Sequence, residues 1–211
     1  MTRLLLVDDH PVVRAGYQRL LEIGGSWRVV AQAASVDEAI AVHREHQPEL
    51  TITDLGLPGR GGLELLRHLV ERNANVRVLV FSMHESEAMV RRAFAMGALG
   101  YVTKSSAPEE LLDAAARVLS GRRYLCASLP AHWLQQSPGD ADGLESLSDR
   151  EFEVFRLLAQ GLTPADCAAA LHLSPKTVSN LQTQIRDKLG LSSAAAMAHL
   201  ALRRGLLSPA P

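Results

Sequence analysis

The chain has 211 residues, of which 47% are apolar and 21% are charged, and its formal net charge is −1 at pH 7. This composition is typical of a globular protein and excludes a largely disordered chain, while the length allows two small domains with separate cores. The near-zero net charge argues neither for nor against a nucleic-acid partner.

The N-terminal segment and the cysteines indicate a cytoplasmic protein. Only four apolar residues separate Arg3 from Asp8, too few for the apolar core of a signal peptide, and no run reaches the length of a membrane span. Cys126 and Cys167 are far apart and lack metal-ligand spacing. We therefore expect free thiols in a reducing compartment and no membrane association.

Residues 3–120 alternate short apolar runs with amphipathic segments. The apolar runs predict five strands, at Leu4–Val7, Arg28–Ala33, Leu50–Thr53, Val76–Phe81 and Leu99–Val102. Helical patterns begin near Pro11, Val36, Leu63, Glu85 and Pro108, and Ser35 with Glu38 has the spacing of a capping box at the start of the second. This alternation predicts an α/β domain over residues 1–120, with a doubly wound, five-stranded parallel sheet of the flavodoxin-like type.

The alternation stops after residue 120, and the rest of the chain has a different pattern. Residues 121–143 are rich in Gly, Pro and Ser, which predicts an interdomain linker, partly ordered near Trp133. Residues 144–211 have only helical periodicity, and N-cap positions at Ser148, Thr163, Ser174 and Ser192 predict four short helices. We therefore predict a small all-α domain, in which the segment from Thr163 to Leu189 has helix-turn-helix dimensions.

Acidic residues follow the first and third predicted strands. Asp8 and Asp9 come after the first strand and Asp54 after the third. In a sheet with strand order 2-1-3-4-5 these strands are neighbours at the switch point, where ligands bind in folds of this class. Three carboxylates so close together repel one another unless a divalent cation neutralises them, and an all-oxygen cluster favours Mg²⁺.

Two further polar residues are predicted at the same edge of the sheet, since Ser82 follows the fourth strand and Lys104 the fifth. A hydroxyl and an ammonium there would complete a site for a phosphoryl group on Asp54, with its carboxylate as the nucleophile. Taken singly, an acid after a strand is commonly a helix N-cap, and a lysine in a βα loop is usually solvated. The combination of these residues at four strand ends favours the phosphoacceptor interpretation.

The segments VDDHPVVRAG, TDLGLPGRGGLELL, VFSMH and GYVTK resemble the receiver domain of two-component response regulators. The resemblance implies that Asp54 accepts a phosphoryl group from the phosphohistidine of a partner sensor histidine kinase. It also implies that Asp9, Asp54 and the Gly56 carbonyl ligate Mg²⁺ directly, while Asp8 acts through water.

The same resemblance implies roles for three residues beyond the metal site. Ser82 and Lys104 would contact the phosphoryl oxygens, and Tyr101 would be the aromatic residue that swings inward when Ser82 moves. Gly56 offers no side chain over the phosphoryl group, so we hypothesise a short phosphoryl lifetime. Ser105 stands where many receivers have proline, and a cis peptide before serine would cost about 3 to 4 kcal/mol.

Residues from about 145 to 207, with LSDREFEV, SPKTV and KLGL, resemble the LuxR-type helix-turn-helix that follows receivers in the NarL/FixJ family. The resemblance implies that Pro175 to Leu189 is a recognition helix in the major groove of double-stranded DNA. The expected contact residues on it are Lys176, Thr177, Ser179, Asn180, Thr183, Arg186 and Lys188.

The charge of residues 144–211 limits how tightly one copy should bind DNA. This part of the chain has seven basic and six acidic residues, a net charge of +1. Because phosphate contacts supply much of the affinity for DNA, we expect weak binding by a monomer and compensation by a homodimer formed on phosphorylation. A protein-binding helical module remains the alternative for this domain.

The combined prediction is a non-enzymatic, phosphorylation-controlled bacterial transcription factor of the two-component type. One alternative is a receiver that acts through protein partners or as a phosphate sink, with an idle DNA-binding domain. A less favoured alternative is a Mg²⁺-dependent phosphatase with an aspartyl nucleophile, which would turn over small phosphate esters.

Overall fold

The computed structural model describes residues 1–59, 61–134, 143–144, 147–171, 173–204 and 206–207. The chain forms two compact units, the first built chiefly from residues 1–136 and the second chiefly from residues 137–211. The first unit contains a β-sheet and the second is helical. Much of the predicted linker, residues 135–142, lies outside the described residues.

The sheet of the first unit is parallel and has the predicted switch point. Its strands are β1 (Thr2–Val7), β2 (Trp27–Ala33), β3 (Leu50–Thr53), β4 (Val78–Ser82), β5 (Gly100–Thr103) and β6 (Tyr124–Leu125). Their order is β2-β1-β3-β4-β5-β6, and every adjacent pair is parallel. Every residue of β3, β4 and β5 is buried, which explains why these strands are continuous runs rather than alternating patterns.

The prediction of five strands is wrong by one short strand. Tyr124 and Leu125, placed in the linker by the sequence, form β6 beside β5. The Tyr124 amide donates to the Leu99 carbonyl at 2.9 Å, and the Cys126 amide donates to the Tyr101 carbonyl at 3.0 Å. Two residues are too few for any periodicity to be visible, so only pairing with β5 identifies them as a strand.

Five helices connect and follow the strands of the first unit. They are α1 (Pro11–Glu22), α2 (Val36–His46), α3 (Gly62–Arg72), α4 (Glu87–Ala95) and α5 (Pro108–Leu119). Proline occupies the first turn of α1 and α5, and the Ser35 hydroxyl accepts from the Glu38 amide at the start of α2. The helices begin within two residues of the predicted positions, and the predicted capping role of Ser35 is confirmed.

The described part of the second unit contains α6 (Asp149–Ala159), α7 (Pro164–Ala170), α8 (Pro175–Leu189) and α9 (Ala194–Arg203). Ser148, Thr163 and Ser174 cap the first three as predicted, but the last helix is capped by Ser193 rather than by Ser192. Gly190 ends α8 with φ 62°, a left-handed conformation that glycine adopts without strain. Buried apolar residues from three helices form the core, among them Phe152, Phe155, Val178, Ile185 and Leu200.

Among the helices formed by described residues, none is both long enough and apolar enough to cross a membrane.

Candidate functional site

The carboxyl edge of the sheet brings together the charged residues predicted from the ends of β1, β3 and β5. Lys104 Nζ lies 2.6 Å from Oδ2 of Asp8 and 2.6 Å from Oδ2 of Asp54. Asp8 is 2% exposed and Asp54 is 6% exposed, so both carboxylates are largely withdrawn from water. The lysine therefore connects two buried acids that are 46 residues apart along the chain.

Backbone groups after β3 hold the Asp54 carboxylate in place. The Gly56 amide donates to Oδ1 of Asp54 at 3.1 Å, which leaves Oδ2 for Lys104. The first turn of α3 packs closely on the same residue, because a Cβ built on Gly62 would lie 1.9 Å from the Asp54 carbonyl oxygen. Glycine at position 62 is thus required by this close approach, a constraint that the sequence pattern does not reveal.

The contacts of Asp54 and Lys104 favour the charged form of both groups. Burial by itself raises the pKa of the Asp54 carboxyl, but hydrogen bonds from Lys104 and Gly56 outweigh burial and hold that pKa below its ordinary value. Burial likewise lowers the pKa of Lys104, and the hydrogen bonds to Asp54 and Asp8 raise it to a net value above the ordinary one. Asp54 is therefore an ionised carboxylate near neutral pH, as a nucleophile must be.

A cluster of possible metal ligands lies directly after β1. One donor atom from each of Asp8, Asp9 and His10 lies within 4.8 Å of the others. His10 Nδ1 is 2.8 Å from Oδ1 of Asp9 and 3.2 Å from Oδ1 of Asp8, and the His10 amide donates to the same Asp8 oxygen at 2.8 Å. His10 was not among the residues predicted for this site, since no pairing of histidines along the chain marks it as a ligand.

Two features of this cluster fit a divalent cation. Oδ1 of Asp9 is buried and, apart from the approach of His10 Nδ1 at 2.8 Å, has no hydrogen-bond partner among the described residues. Asp8, Asp9 and Asp54 together carry three negative charges against the single positive charge of Lys104, so charge balance favours a dication bound by oxygen atoms. Arg14 also supports the cluster, because its guanidinium donates to the Asp8 carbonyl and to Oε1 of Gln32.

Ser82 and Tyr101 are both fully buried beside the acidic residues. The His84 amide donates to the Ser82 hydroxyl at 3.4 Å, and the Tyr101 hydroxyl donates to the His84 carbonyl at 2.8 Å. Burial and the nearby charge of Asp54 raise the pKa of the Tyr101 hydroxyl, which is therefore a neutral donor. In this structure Tyr101 already has its side chain inside the protein, with 0% exposure.

Hydroxyl groups are concentrated at the end of β5. The Thr103 hydroxyl is 2.9 Å from those of Ser105 and Ser106 and 3.4 Å from that of Ser128. The Ser105 hydroxyl donates to Oε1 of Glu85 at 2.6 Å. The peptide between Lys104 and Ser105 is trans, in a described backbone that contains no cis peptide.

The second unit presents a polar helix surface on α8. The five predicted residues Lys176, Thr177, Ser179, Asn180 and Thr183 are all exposed. The hydroxyls of Ser179 and Thr183 donate to backbone carbonyls four residues earlier, at 3.0 and 3.2 Å. Each hydroxyl keeps free lone pairs, so these residues remain able to contact a partner from the exposed face of α8.

The two remaining predicted residues of α8 are placed differently. Lys188 Nζ donates to Oε2 of Glu151 at 2.7 Å, and Glu151 is 3% exposed. The same carboxylate accepts from the Ser148 amide at 2.6 Å, and the contacts with Lys188 and Ser148 outweigh burial and lower the pKa of Glu151. Arg186 is half-buried. Lys188 therefore joins the C-terminal end of α8 to the start of α6.

Two known families match the chain, one for each unit. Residues 4–116 match the family described as response regulator receiver domain. Residues 145–201 match the family described as bacterial regulatory proteins, luxR family.

Curated relatives match over nearly the whole length. The transcriptional activator protein ExaE of Pseudomonas putida is 42% identical over 208 residues, 97% of this chain and 97% of the relative. The response regulator UvrY of Escherichia coli K12 is 32% identical over 210 residues, covering 98% of this chain and 96% of UvrY.

Solved structures agree with these relatives. A LuxR-family two-component response regulator from Aurantimonas is 45% identical, with a TM-score of 0.61 over 64% of this chain and 96% of that one. The RcsB response regulator of Salmonella enterica, in a structure bound to promoter P1flhDC with phosphomimetic BeF₃⁻, is 26% identical. Its TM-score is 0.63 over 94% of this chain and 96% of that one.

Proposed function

Because the chain belongs to the response regulators that join a receiver domain to a LuxR-type DNA-binding domain, we propose that Asp54 is its phosphoacceptor and that phosphorylation controls its binding to DNA. We assign the receiver to residues 1–120, the linker to 121–143 and the DNA-binding domain to 144–211. The pairing of β6 with β5 extends the receiver sheet to Leu125. The proposed setting is the bacterial cytoplasm.

The single observation that carries the phosphoacceptor assignment is the ion pair of Lys104 with both Asp54 and Asp8 at 2.6 Å. In the proposed transfer, an Asp54 carboxylate oxygen attacks the phosphorus of a kinase phosphohistidine. The new O–P bond forms as the P–N bond breaks, and the imidazole leaves with the bonding electron pair and takes up a proton. Lys104 is suitably placed to pair with the negative phosphoryl oxygens, joined by the Ser82 hydroxyl.

We propose that Asp9, Asp54 and the Gly56 carbonyl hold Mg²⁺, with Asp8 acting through water. The donor set fits, because it consists of oxygen atoms and carries an excess of two negative charges over Lys104. When bound, the ion would neutralise charge between the carboxylates and the incoming phosphoryl group. His10 closes the Asp8–Asp9 turn by its contacts with both acids.

The output of the domain is proposed to be a population shift. Ser82 and Tyr101 are linked through His84, which contacts the former by its amide and the latter by its carbonyl. A phosphoryl group that draws the Ser82 hydroxyl toward itself would weaken its contact with the His84 amide and favour the inward position that Tyr101 occupies here. The altered surface would then favour pairing of two copies of the chain.

For DNA, we propose that the exposed face of α8 enters the major groove. Ser179, Asn180 and Thr183 would read base edges, while Lys176, Thr177 and Arg186 contact the backbone or the groove edge. Lys188 was predicted among these contacts, and its ion pair with Glu151 suggests that it supports the position of α8 instead. A homodimer would supply the affinity that a nearly neutral domain lacks. We propose that the chain does not turn over free substrates as an enzyme.

Phosphorylation with acetyl phosphate and Mg²⁺ tests the first half of this proposal. Wild type should form one acid-stable, hydroxylamine-sensitive phosphoprotein band on a phosphate-affinity gel, and Asp54→Asn should form none. Equal labelling of the two proteins, or no labelling of wild type, would refute the assignment. Catalytic release of phosphate from small esters by wild type would instead favour the phosphatase.

Genome-wide mapping of bound DNA tests the second half. Wild type should occupy specific promoters that Asp54→Asn occupies weakly, and purified phosphoprotein should bind a recovered site at least about tenfold more tightly than the unphosphorylated chain. Equal binding of both forms would reject control by phosphorylation. The near-neutral charge of the helical domain favours, as second candidate, a receiver acting through protein partners, for which no salt-dependent DNA binding is expected.

A further inference from the structure

One hydrogen bond joins the loops that follow β4 and β5. The Ser105 hydroxyl donates to Oε1 of Glu85 at 2.6 Å, across 20 positions of sequence. Ser105 comes directly after Lys104, and Glu85 lies in the loop 83–86 between β4 and α4. The contact therefore ties the residue after Lys104 to the loop that follows Ser82.

The same loop supplies the acceptor for Tyr101. The His84 carbonyl accepts from the Tyr101 hydroxyl at 2.8 Å, and the His84 amide donates to Ser82 at 3.4 Å. His84 and Glu85 are adjacent, so the Ser105 contact acts one residue away from both of these bonds. The position of residues 84–85 thus decides whether the buried Tyr101 hydroxyl keeps its acceptor.

The two ends of the Ser105 contact differ in how firmly they are held. Ser105 is anchored on the sheet, since its hydroxyl is also 2.9 Å from that of Thr103, which is fully buried on β5. Both side chains are exposed and lie in loops, and of the two it is the Ser105 hydroxyl that also contacts a residue of the sheet. A hydroxyl fixed to the sheet therefore restrains a loop carboxylate, and a proline at position 105 would have no group to do so.

We propose that Ser105 and Glu85 form a latch that holds loop 83–86 in the arrangement that keeps Tyr101 buried. They are positioning residues for the switch and do not contact the phosphoryl group. Hydrogen bonds to a charged acceptor are among the stronger ones, so loss of the latch shifts the loop equilibrium severalfold. The latch rests on the proposed function in one respect, namely that phosphorylation of Asp54 is what changes the arrangement of loop 83–86.

The test uses the full-length, unphosphorylated protein labelled with 3-fluorotyrosine, with the Tyr101 resonance identified by its loss in Tyr101→Phe. In Ser105→Ala we expect this resonance to move toward the solvent-exposed value or to broaden. Amide hydrogen exchange at residues 84–85 should become about three- to tenfold faster. Ser105→Thr keeps a hydroxyl at this position, so its Tyr101 resonance should match that of the wild type.

Ser106→Ala is the matched control, because Ser106 contacts the same Thr103 hydroxyl but not Glu85. It should leave both readouts unchanged. Glu85→Ala should reproduce the effect of Ser105→Ala, and the double variant should add little to either. A wild-type spectrum in Ser105→Ala, or equal changes in Ser106→Ala, would overturn the latch.

These readouts separate the latch from the proposed function. They need no phosphoryl group, so a failure of Asp54 labelling would count against the proposed function alone. Normal labelling with an unchanged Tyr101 resonance in Ser105→Ala would count against the latch alone.

Discussion

At the scale of single residues, Asp54 combines burial with a low pKa, and this has a consequence for stability. Contacts with Lys104 and Gly56 hold the pKa of the folded carboxyl below its ordinary value of 3.8. A carboxyl with a lowered pKa stabilises the fold above the unfolded value, and that contribution is lost as the pH falls through the folded value. The site therefore favours folding near neutral pH and weakens the fold below about pH 3.8.

Gly62 is the residue at which a minimal substitution should damage the site. In Gly62→Ala the new Cβ would meet the Asp54 carbonyl oxygen at 1.9 Å and Leu55 Cα at 2.7 Å, so α3 or the Asp54 backbone must move. We expect a loss of about 1 to 3 kcal/mol in the free energy of unfolding by urea, as for other overpacked sites. Acetyl phosphate labelling of Asp54 should also slow.

Gly56→Ala is the control within the same loop. Its Cβ would lie 3.5 Å from Oδ2 of Asp54, an ordinary contact, so the stability of the fold should change little. Our hypothesis that the open position at Gly56 shortens the phosphoryl lifetime predicts slower hydrolysis with a bulkier residue there. A Gly62→Ala protein as stable as Gly56→Ala would contradict the steric argument.

At the scale of elements, helices α2 and α3 contain a pair of histidines that should make the fold sensitive to mild acid. Nε2 of His43 and Nε2 of His68 are buried, and neither has a hydrogen-bond partner among the described residues. Burial lowers the pKa of His43 below 6.5, and charge on His68 lowers it further. The unfolded chain then binds the proton more readily, so stability present above pH 6.5 is lost as the pH falls below that value.

Urea unfolding measured from pH 7.5 to pH 5 checks this prediction. We expect the fall in unfolding free energy below pH 6.5 to be smaller in His43→Gln than in wild type. A single proton limits the difference in slope to about 1.4 kcal/mol per pH unit. His132→Gln replaces an exposed histidine in the same unit and should retain the wild-type slope. If the unfolding free energy of His43→Gln and of wild type fell with the same slope below pH 6.5, His43 would not be a buried neutral histidine.

The pairing of α6 and α8 predicts different roles for two lysines of α8, the proposed recognition helix. Both lysines are exposed, but Lys188 pairs with the buried Glu151 near the end of α8, whereas Lys176 lies at its start. In Lys188→Met the buried carboxylate keeps the Ser148 amide but loses its cationic partner, so we expect a loss of about 2 kcal/mol in stability and weaker DNA binding. The dependence of the logarithm of affinity on the logarithm of salt concentration should keep its wild-type slope.

Lys176→Met provides the comparison on the same helix. Loss of one phosphate contact should reduce the salt slope by about 0.9 with little change in stability. Fluorescence anisotropy with the phosphorylated full-length chain between 50 and 300 mM salt would measure both slopes. A reduced salt slope in Lys188→Met would instead indicate that Lys188 contacts a DNA phosphate.

At the scale of the whole molecule, the two units divide the work of sensing and output. The receiver concentrates charge in one buried site, while the described surface of α8 contributes few positive charges for DNA. Control by pairing suits this division, because two weak half-site contacts combine through effective concentration. Under the proposed function, we therefore expect the regulatory signal to act on the number of DNA-binding domains held together rather than on the chemistry of one.

The amino-acid sequence by itself determined the architecture and most of the receiver site. Strand and helix periodicity, with proline and hydroxyl caps, located the first five strands and all nine α-helices that the described residues form, to within about two residues. Asp8, Asp54 and Lys104 could be brought together because a parallel sheet places the carboxyl ends of its strands on one edge. The assignment of Tyr124 and Leu125 to the linker was wrong, because a strand of two residues has no periodic pattern that the sequence could show.

Only the tertiary structure decided which partner each polar group has. The bonds Lys104–Asp54 and Lys188–Glu151 span 50 and 37 positions, and no local pattern connects their ends. The same holds for the close approach of Gly62 to Asp54, the contacts of His10 with both acids, and the latch between Ser105 and Glu85. Local sequence sets periodicity and caps, whereas distances between side chains on different elements follow from how those elements pack.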